Sequence, residues 1–103
     1  MNDGFVEVAD ASAIPVGTSK QFVVGGTEIA VFNIDGEFFA TADECTHDYA
    51  FLSNGETFGA VVECPLHGAR FDVRTGKALS LPAVYPVKTY DVRLIDGKVQ
   101  LRV

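Results

Sequence analysis

Hydrophobic and polar residues alternate along most of this chain with a period of two. The pattern is clearest over residues 98–103, where Val99, Leu101 and Val103 fall on one face. This period places apolar side chains on one side of a β-strand and polar side chains on the other. No segment keeps a helical period over three turns, and a single helical turn is expected near 9–14. The pattern predicts an all-β, mostly antiparallel protein.

Short turn motifs separate the predicted strands. Asp35-Gly36 and Asp96-Gly97 each suit a type I′ hairpin turn, because both central residues need a positive φ, which Gly adopts freely and Asp tolerates. Gly25-Gly26 predicts a third hairpin. Several short strands in a chain of this size are typical of a small sandwich or barrel. Strands are predicted at 4–8, 20–24, 27–33, 37–42, 59–63, 70–73, 84–94 and 98–103.

One long segment breaks the alternation. It runs from Asp43 to Gly59, is acidic and contains Gly55. Loops of this length without secondary structure of their own tend to carry function. We therefore expect this segment to contribute to a functional site. Gly55, Gly68 and Gly76 are expected at turns that require a positive φ.

Composition limits the class of protein. The chain has 103 residues, 48% of them hydrophobic and 21% charged, which fits one globular domain. No apolar stretch reaches the roughly 20 residues of a membrane span. The first nineteen residues contain no Lys or Arg, so the basic start of a secretory signal is missing. These features predict a cytoplasmic protein without a membrane partner.

The formal net charge of -6 is unevenly distributed. Residues 1–69 hold eleven acids and one base, Lys20, whereas the remaining residues hold seven bases and three acids. An acidic chain repels phosphate backbones, so nucleic acid is not expected as a partner. A protein with a basic docking face fits this distribution, although solubility alone also accounts for it.

Every Cys and His of the chain lies in one of two short motifs. The first is Cys45-Thr46-His47, the second is Cys64-Pro65-Leu66-His67, and sixteen residues separate them. Each motif follows a predicted strand, so two antiparallel neighbours would bring one thiol and one imidazole from each loop to a common site. The pattern predicts a site with four soft ligands.

Three interpretations of these ligands compete. A structural zinc ion accepts two thiolates and two imidazoles, but its usual spacings pair Cys with Cys and His with His. A disulfide between Cys45 and Cys64 leaves both histidines unexplained and is uncommon in the cytosol. A [2Fe-2S] cluster can take both cysteines on one iron and both histidines on the other.

The two motifs resemble those of the Rieske family, specifically the small soluble bacterial ferredoxins of ring-hydroxylating dioxygenase systems. The second motif continues as Gly68-Ala69-Arg70-Phe71-Asp72, and a Thr75-Gly76 turn and Leu81-Pro82-Ala83 follow. The resemblance implies one [2Fe-2S] cluster whose cofactor-binding and metal-ligating residues are Cys45, His47, Cys64 and His67. In that family the cysteines bind the inner iron and the histidines bind the solvent-facing iron.

The resemblance also implies the architecture. A single Rieske domain, 1–103, is expected, with a cluster-binding subdomain at about 43–83 inserted into a β base formed by 1–42 and 84–103. The base would be a small antiparallel sandwich or barrel. Leu81-Pro82-Ala83 resembles the family's proline loop, which covers one side of the cluster.

Four positions differ from the high-potential Rieske proteins of respiratory chains, which the motif otherwise resembles. Those proteins have two further cysteines that form a disulfide, and a serine and a tyrosine that donate hydrogen bonds at the cluster. This chain has Ala50, Leu66, Ala69 and Phe71 there. Fewer hydrogen bonds to cluster sulfurs lower the potential, so a low-potential carrier is expected, near the bottom of the roughly -150 to +300 mV Rieske range.

The expected function is one-electron transport in aromatic hydrocarbon catabolism, without catalytic residues in this chain. The resemblance implies a flavin-containing, NADH-dependent ferredoxin reductase as donor and a terminal Rieske non-haem iron oxygenase as acceptor, both binding transiently to a monomer. The chain lacks the Gly-rich dinucleotide fingerprint of the reductase. It also lacks the further histidines that a mononuclear iron site needs.

Docking is expected around the histidines. The segment 43–63 contributes five acids and no base, and Tyr49, Phe51 and Leu66 are candidate apolar contacts. Two alternatives stay open: a zinc-stabilised interaction module, and a tightly bound electron-transfer subunit of an oxidoreductase.

Overall fold

Antiparallel strands form almost all of the regular structure. The computed structural model describes residues 4–46, 50–66, 68–81, 83 and 85–103. Two single turns of 3-10 helix, Ala11–Ala13 and Leu52–Asn54, interrupt the strands. The strands are β1 Phe5–Asp10, β2 Ser19–Val24, β3 Thr27–Ile34, β4 Glu37–Ala42, β5 Glu56–Phe58, β6 Val61–Glu63, β7 Arg70–Asp72, β8 Thr89–Ile95 and β9 Lys98–Arg102. The predicted all-β, antiparallel fold class is confirmed.

The strands form two sheets. Six of them pair in the order β1-β9-β8-β4-β3-β2 and make a nearly closed, barrel-like sheet. The other three, β5-β6-β7, form a small sheet within the segment predicted to bind the cluster. In the described part of the chain, no helix is long and apolar enough to cross a membrane.

Strand β3 joins the two apolar cores of the molecule. Ile29 and Val31 are fully buried in one core, which belongs to the six-stranded sheet. Ala30 and Phe32 are fully buried in the second core, which the small sheet shares. Because successive side chains of a strand point to opposite faces, β3 is covered on both sides.

The two Asp-Gly hairpins are confirmed. Asp35 and Gly36 have φ values of 54° and 90°, and Asp96 and Gly97 have values of 51° and 75°. These left-handed conformations match the type I′ turn, whose twist suits the flanking strands. The Gly25-Gly26 turn between β2 and β3 also has positive φ at both residues.

Several element boundaries were predicted incorrectly. Strand β5 lies inside the segment expected to be irregular, and it is defined by its pairing with β6. The strand expected at 84–94 begins only at Thr89. Pro86 has no amide to donate, and the Val87 amide donates to the Gly76 carbonyl oxygen at 2.8 Å rather than to a strand of the large sheet. Val103 is exposed past the end of β9, although Val99 and Leu101 are fully buried as predicted.

Gly55 is required for a different reason from the one predicted. Its φ of -85° is open to any residue. A Cβ added there, however, would overlap with the Glu63 carbonyl oxygen and lie 3.2 Å from the Leu52 carbonyl oxygen. The backbone of the 3-10 turn therefore approaches the end of β6 more closely than a side chain allows.

We predict that Gly55→Ala destabilises the protein by about 3 kcal/mol, the upper range for inserting a methyl group into a packed site. Gly25→Ala is the matched control, because Gly25 has a φ of 58° and no neighbour within 4 Å of an added Cβ. That control costs only the backbone strain, about 1 kcal/mol. Urea unfolding measures both values, and an equal loss for the two variants would contradict the steric explanation.

Candidate metal centre

The first predicted ligand loop is the tip of a hairpin. Glu44 and Phe51 form an antiparallel bridge, and the Cys45 amide donates a hydrogen bond to the Ala50 carbonyl oxygen at 2.8 Å. Cys45 is therefore the first residue of the hairpin tip, which ends at Ala50, and Cys45 is 3% exposed. His47 lies outside the described residues.

The second predicted ligand loop has the same construction. Glu63 at the end of β6 pairs with Arg70 at the start of β7, and the Cys64 amide donates to the Ala69 carbonyl oxygen at 2.6 Å. Gly68 closes this tip with a φ of 72°. Cys64 is 1% exposed, like Cys45 the first residue of its tip. His67 lies outside the described residues.

The structure brings the two cysteines into one apolar core. Cys45 and Cys64 belong to the same cluster of buried residues, which also contains Leu52, Ala69 and Phe71. No disulfide joins Cys45 to Cys64. A set of two cysteines and two histidines can bind an iron-sulfur cluster. Two buried thiols, each at the tip of a hairpin, supply the cysteine half of such a set. The described half of the predicted ligand set therefore fits an iron-sulfur cluster.

Ala69 and Phe71 carry no hydroxyl group into this core. Both side chains are fully buried in the same cluster as the two cysteines. A hydroxyl at either position would therefore enter an apolar environment, where it needs a partner. At these two positions, therefore, no side chain can donate a hydrogen bond within the core around the thiols.

The chain just after the segment that resembles a proline loop contacts the first ligand loop. The Thr46 hydroxyl donates a hydrogen bond to the Tyr85 carbonyl oxygen at 2.9 Å. Ala83 is buried in the core that contains both cysteines. Pro82 lies outside the described residues. Of the described residues of this segment, Ala83 therefore packs with the two cysteines, whereas Leu81 is 77% exposed, and the covering role stays a prediction.

A tight turn fixes the chain after the second loop. Asp72 accepts hydrogen bonds from the backbone amide and the guanidinium of Arg74. The side-chain hydrogen bond from Arg74 is the main reason that the pKa of Asp72 lies below its ordinary value. Gly76 has a φ of 80°, and an added Cβ there would overlap with the Val87 carbonyl oxygen. This turn holds β7 close to the segment that returns to the large sheet.

Asp43 was wrongly predicted to be a docking residue. Its side chain is fully buried, so it cannot meet a partner. Its carboxylate accepts hydrogen bonds from the amide and hydroxyl of Ser53, at 2.7 and 2.8 Å, and from the Gln21 amide group at 2.7 Å. Sequence reasoning missed this role, and the available signal was the position of the acid directly after β4 and two residues before Cys45.

The other acids of 43–63 have different environments. Glu44 and Glu56 are exposed. Glu63 is half-buried and forms an ion pair of 3.0 Å with Arg70. Asp48 lies outside the described residues. The acidic surface in the described part of this segment therefore rests mainly on two residues rather than five.

Large apolar side chains are exposed close to the ligand motifs in the chain. Leu66 is 41% exposed within the second loop, and Phe51 is 36% exposed beside the end of the first. Leu81 and Tyr85 are more exposed, at 77% and 69%. Tyr49 lies outside the described residues. These exposed apolar side chains are candidate contacts for another protein.

Comparison with known proteins gives a consistent match. A family model described as the Rieske [2Fe-2S] domain matches residues 4–91. The ferredoxin component of the naphthalene 1,2-dioxygenase/salicylate 5-hydroxylase systems of Ralstonia sp. is 41% identical over 102 residues, which cover 99% of this chain and 98% of the relative.

Two solved structures extend this match to the fold. The ferredoxin of carbazole 1,9a-dioxygenase from Nocardioides aromaticivorans IC177 superposes with a TM-score of 0.93 at 34% identity, covering 97% of this chain and 98% of that one. A chain from a complex of reduced oxygenase and oxidized ferredoxin in carbazole 1,9a-dioxygenase has a TM-score of 0.91 at 37% identity, covering 98% and 94%.

Proposed function

Because this chain belongs to the Rieske [2Fe-2S] domain family, we propose that it is the electron-carrying ferredoxin of an aromatic-ring dioxygenase system. The relatives that match nearly its whole length are named ferredoxin components, so the chain is an electron carrier rather than a catalytic enzyme. The observation that carries the proposal is the burial of Cys45 and Cys64 in one core, each at the tip of its own hairpin.

The proposed ligands are Cys45 and Cys64 on the inner iron and His47 and His67 on the outer iron. The bound cluster supplies one-electron redox chemistry. The two hairpins present the cysteines from within the core, where water has little access. The described surface around these loops leaves room for a partner protein, since Leu66 and Glu44 are exposed.

The proposed partners are a flavin-containing, NADH-dependent reductase as donor and a terminal Rieske oxygenase as acceptor. The second partner is supported by the carbazole dioxygenase relative, whose structure is that of an oxygenase and ferredoxin complex. We propose that this protein acts as a monomer in the cytoplasm and meets each partner transiently. The finer organisation, a cluster-binding subdomain at about 43–83 in a β base, belongs to the same proposal.

The ligand set is tested by metal content and spectroscopy. The purified protein should be brown, contain two irons, and show a rhombic EPR signal after reduction with nitrogen couplings from two imidazoles. Cys64→Ser and His67→Asn should lose that signal. Thr46→Ser is the control, because serine keeps the hydroxyl that bonds Tyr85, and it should retain the cluster.

A colourless protein with one zinc ion would support the interaction module instead. An EPR signal without nitrogen couplings would contradict histidine ligation. Gel filtration of a cell extract separates the remaining alternative, since a tightly bound subunit elutes with its partner and a diffusible ferredoxin elutes alone.

We also propose a low reduction potential, because two buried positions near the cysteines have no hydroxyl group. A hydrogen bond from a hydroxyl group to a cluster sulfur or a ligand thiolate stabilises the reduced, more negative state. Ala69 and Phe71 are buried with the two cysteines and provide no hydroxyl. The absence of these two donors favours a potential in the lower part of the Rieske range.

We predict that Ala69→Ser and Phe71→Tyr each raise the midpoint potential by about 60 mV, the one-electron equivalent of a tenfold change in equilibrium. Protein-film voltammetry measures the shift. Phe22→Tyr is the control, because Phe22 packs against the separate core of the large sheet. An unchanged midpoint in both test variants would show that neither side chain faces the cluster.

Docking is proposed to combine the two exposed acids with exposed apolar side chains. Electron-transfer complexes are small, and charge complementarity mainly raises their association rate. Glu44 and Glu56 would attract a basic partner surface over about a Debye length, near 10 Å at 0.1 M salt. Leu66 and Phe51 would then supply the desolvated contact.

We predict that Glu44→Lys combined with Glu56→Lys slows reduction of the purified oxygenase roughly tenfold at low salt and much less at 0.5 M salt, because ions screen the attraction. Glu7→Lys combined with Glu37→Lys is the control for total charge, since it changes the net charge by the same amount and both residues are exposed on the large sheet, on β1 and β4. Stopped-flow kinetics measures the rate. Equal slowing by the control, or no salt dependence in the wild-type protein, would contradict steering by these acids.

A further inference from the structure

We infer that Asp43 is a positioning residue that holds the first ligand loop in the geometry required for cluster binding. The inference rests on the proposed ligand role of Cys45, but it does not depend on any partner protein. It follows from the way in which the base of this loop is closed.

Among the described residues, three successive contacts close the loop, and the third uses a side chain. Backbone groups of Cys45 and Ala50 form the first contact, and the bridge between Glu44 and Phe51 forms the second. At the third level the returning chain enters the 3-10 turn Leu52–Asn54, so a regular ladder cannot continue. The Leu52 amide still donates to the Asp43 carbonyl oxygen at 2.7 Å.

The Asp43 carboxylate supplies the acceptors that the interrupted ladder lacks. Its Oδ1 accepts the Ser53 amide at 2.7 Å, and its Oδ2 accepts the Ser53 hydroxyl at 2.8 Å. An unpaired amide at this part-buried position would be costly, and hydrogen bonds to a carboxylate are about twice as strong as those between neutral groups. The carboxylate of Asp43, which precedes the loop, therefore binds Ser53, which follows it.

The same carboxylate connects the loop to the large sheet. Gln21 of β2 donates its amide group to Oδ2 at 2.7 Å, and the Asp43 amide donates to the Glu28 carbonyl oxygen of β3 at 3.1 Å. Ser19 of β2 adds a hydrogen bond to the Ser53 carbonyl oxygen at 3.0 Å. Asp43 and Ser53 are thus held by two strands of the base, two residues before Cys45.

A positioning role and a purely stabilising role predict different measurements. A stabilising group changes the unfolding midpoint and leaves the cluster environment of the folded protein unchanged. A positioning group alters the ligand geometry of the folded protein, so it changes the EPR line positions and the rate at which iron is lost to a chelator.

The experiment compares Asp43→Asn, Ser53→Ala and Gln21→Ala in the isolated, cluster-loaded protein, well below its unfolding temperature. We expect Asp43→Asn to speed iron release to a chelator about tenfold, the change that one charge-assisted hydrogen bond produces, and to shift the EPR lines. The other two variants should produce smaller changes in the same direction. Because Ser53→Ala and Gln21→Ala keep the Asp43 carboxylate, any change that they cause comes from altered loop geometry rather than from a lost charge. If Asp43→Asn does not fold, these two variants still test the inference.

Asn33→Ala is the matched control. Asn33 is a buried polar residue on β3 that donates to the Ile14 carbonyl oxygen at 2.7 Å and accepts from the Gly36 amide at 2.8 Å. Its loss should lower the unfolding midpoint while iron release and the EPR lines stay as in the wild-type protein. Iron release that follows the unfolding midpoint equally in all four variants would overturn the positioning role.

The outcome for the wild-type protein distinguishes this inference from the proposed function. A wild-type protein without the rhombic signal overturns the ligand assignment and this inference with it. A normal wild-type signal with unchanged Asp43, Ser53 and Gln21 variants overturns the positioning role alone. Neither result depends on electron transfer to an oxygenase.

Discussion

The burial of β3 on both faces is the constraint on which the rest of the structure depends. Ile29 and Val31 pack into the core of the large sheet, and Ala30 and Phe32 pack into the core that contains Cys45 and Cys64. A strand can serve two cores because its side chains alternate between its faces. The starts of both ligand loops, Cys45 and Cys64, therefore pack in one core with β3 of the large sheet.

In the proposed site, the core that contains Cys45 and Cys64 must hold two negative charges. Two ionised thiolates in an apolar cluster are costly unless a metal compensates their charge. Cluster binding and the packing of this core are therefore coupled. Two hairpins place the thiols inside the core, while the next described residues, Thr46, Pro65 and Leu66, are exposed. This arrangement suits an electron carrier, which must protect its redox centre and still bring it close to a partner.

The acids of residues 43–63 show that composition does not predict the role of an individual side chain. The segment 43–63 holds five acids. The fold buries Asp43 under hydrogen bonds, pairs Glu63 with Arg70 and leaves Glu44 and Glu56 exposed. Their neighbours in space, including Gln21, lie far away along the chain. A count of charges therefore predicted an acidic segment correctly and assigned Asp43 the wrong task.

The sequence by itself determined the all-β class, the Asp-Gly hairpins and the family, because alternation, turn chemistry and ligand spacing are local properties of the chain. It could not predict the short strand β5 or the steric need for Gly55, whose contacts come from β6. Only the tertiary structure decided that both cysteines enter one core and that Asp43 closes the first loop. Burial and hydrogen bonding depend on which distant segments meet, and the packing of the two cores on β3 decides that.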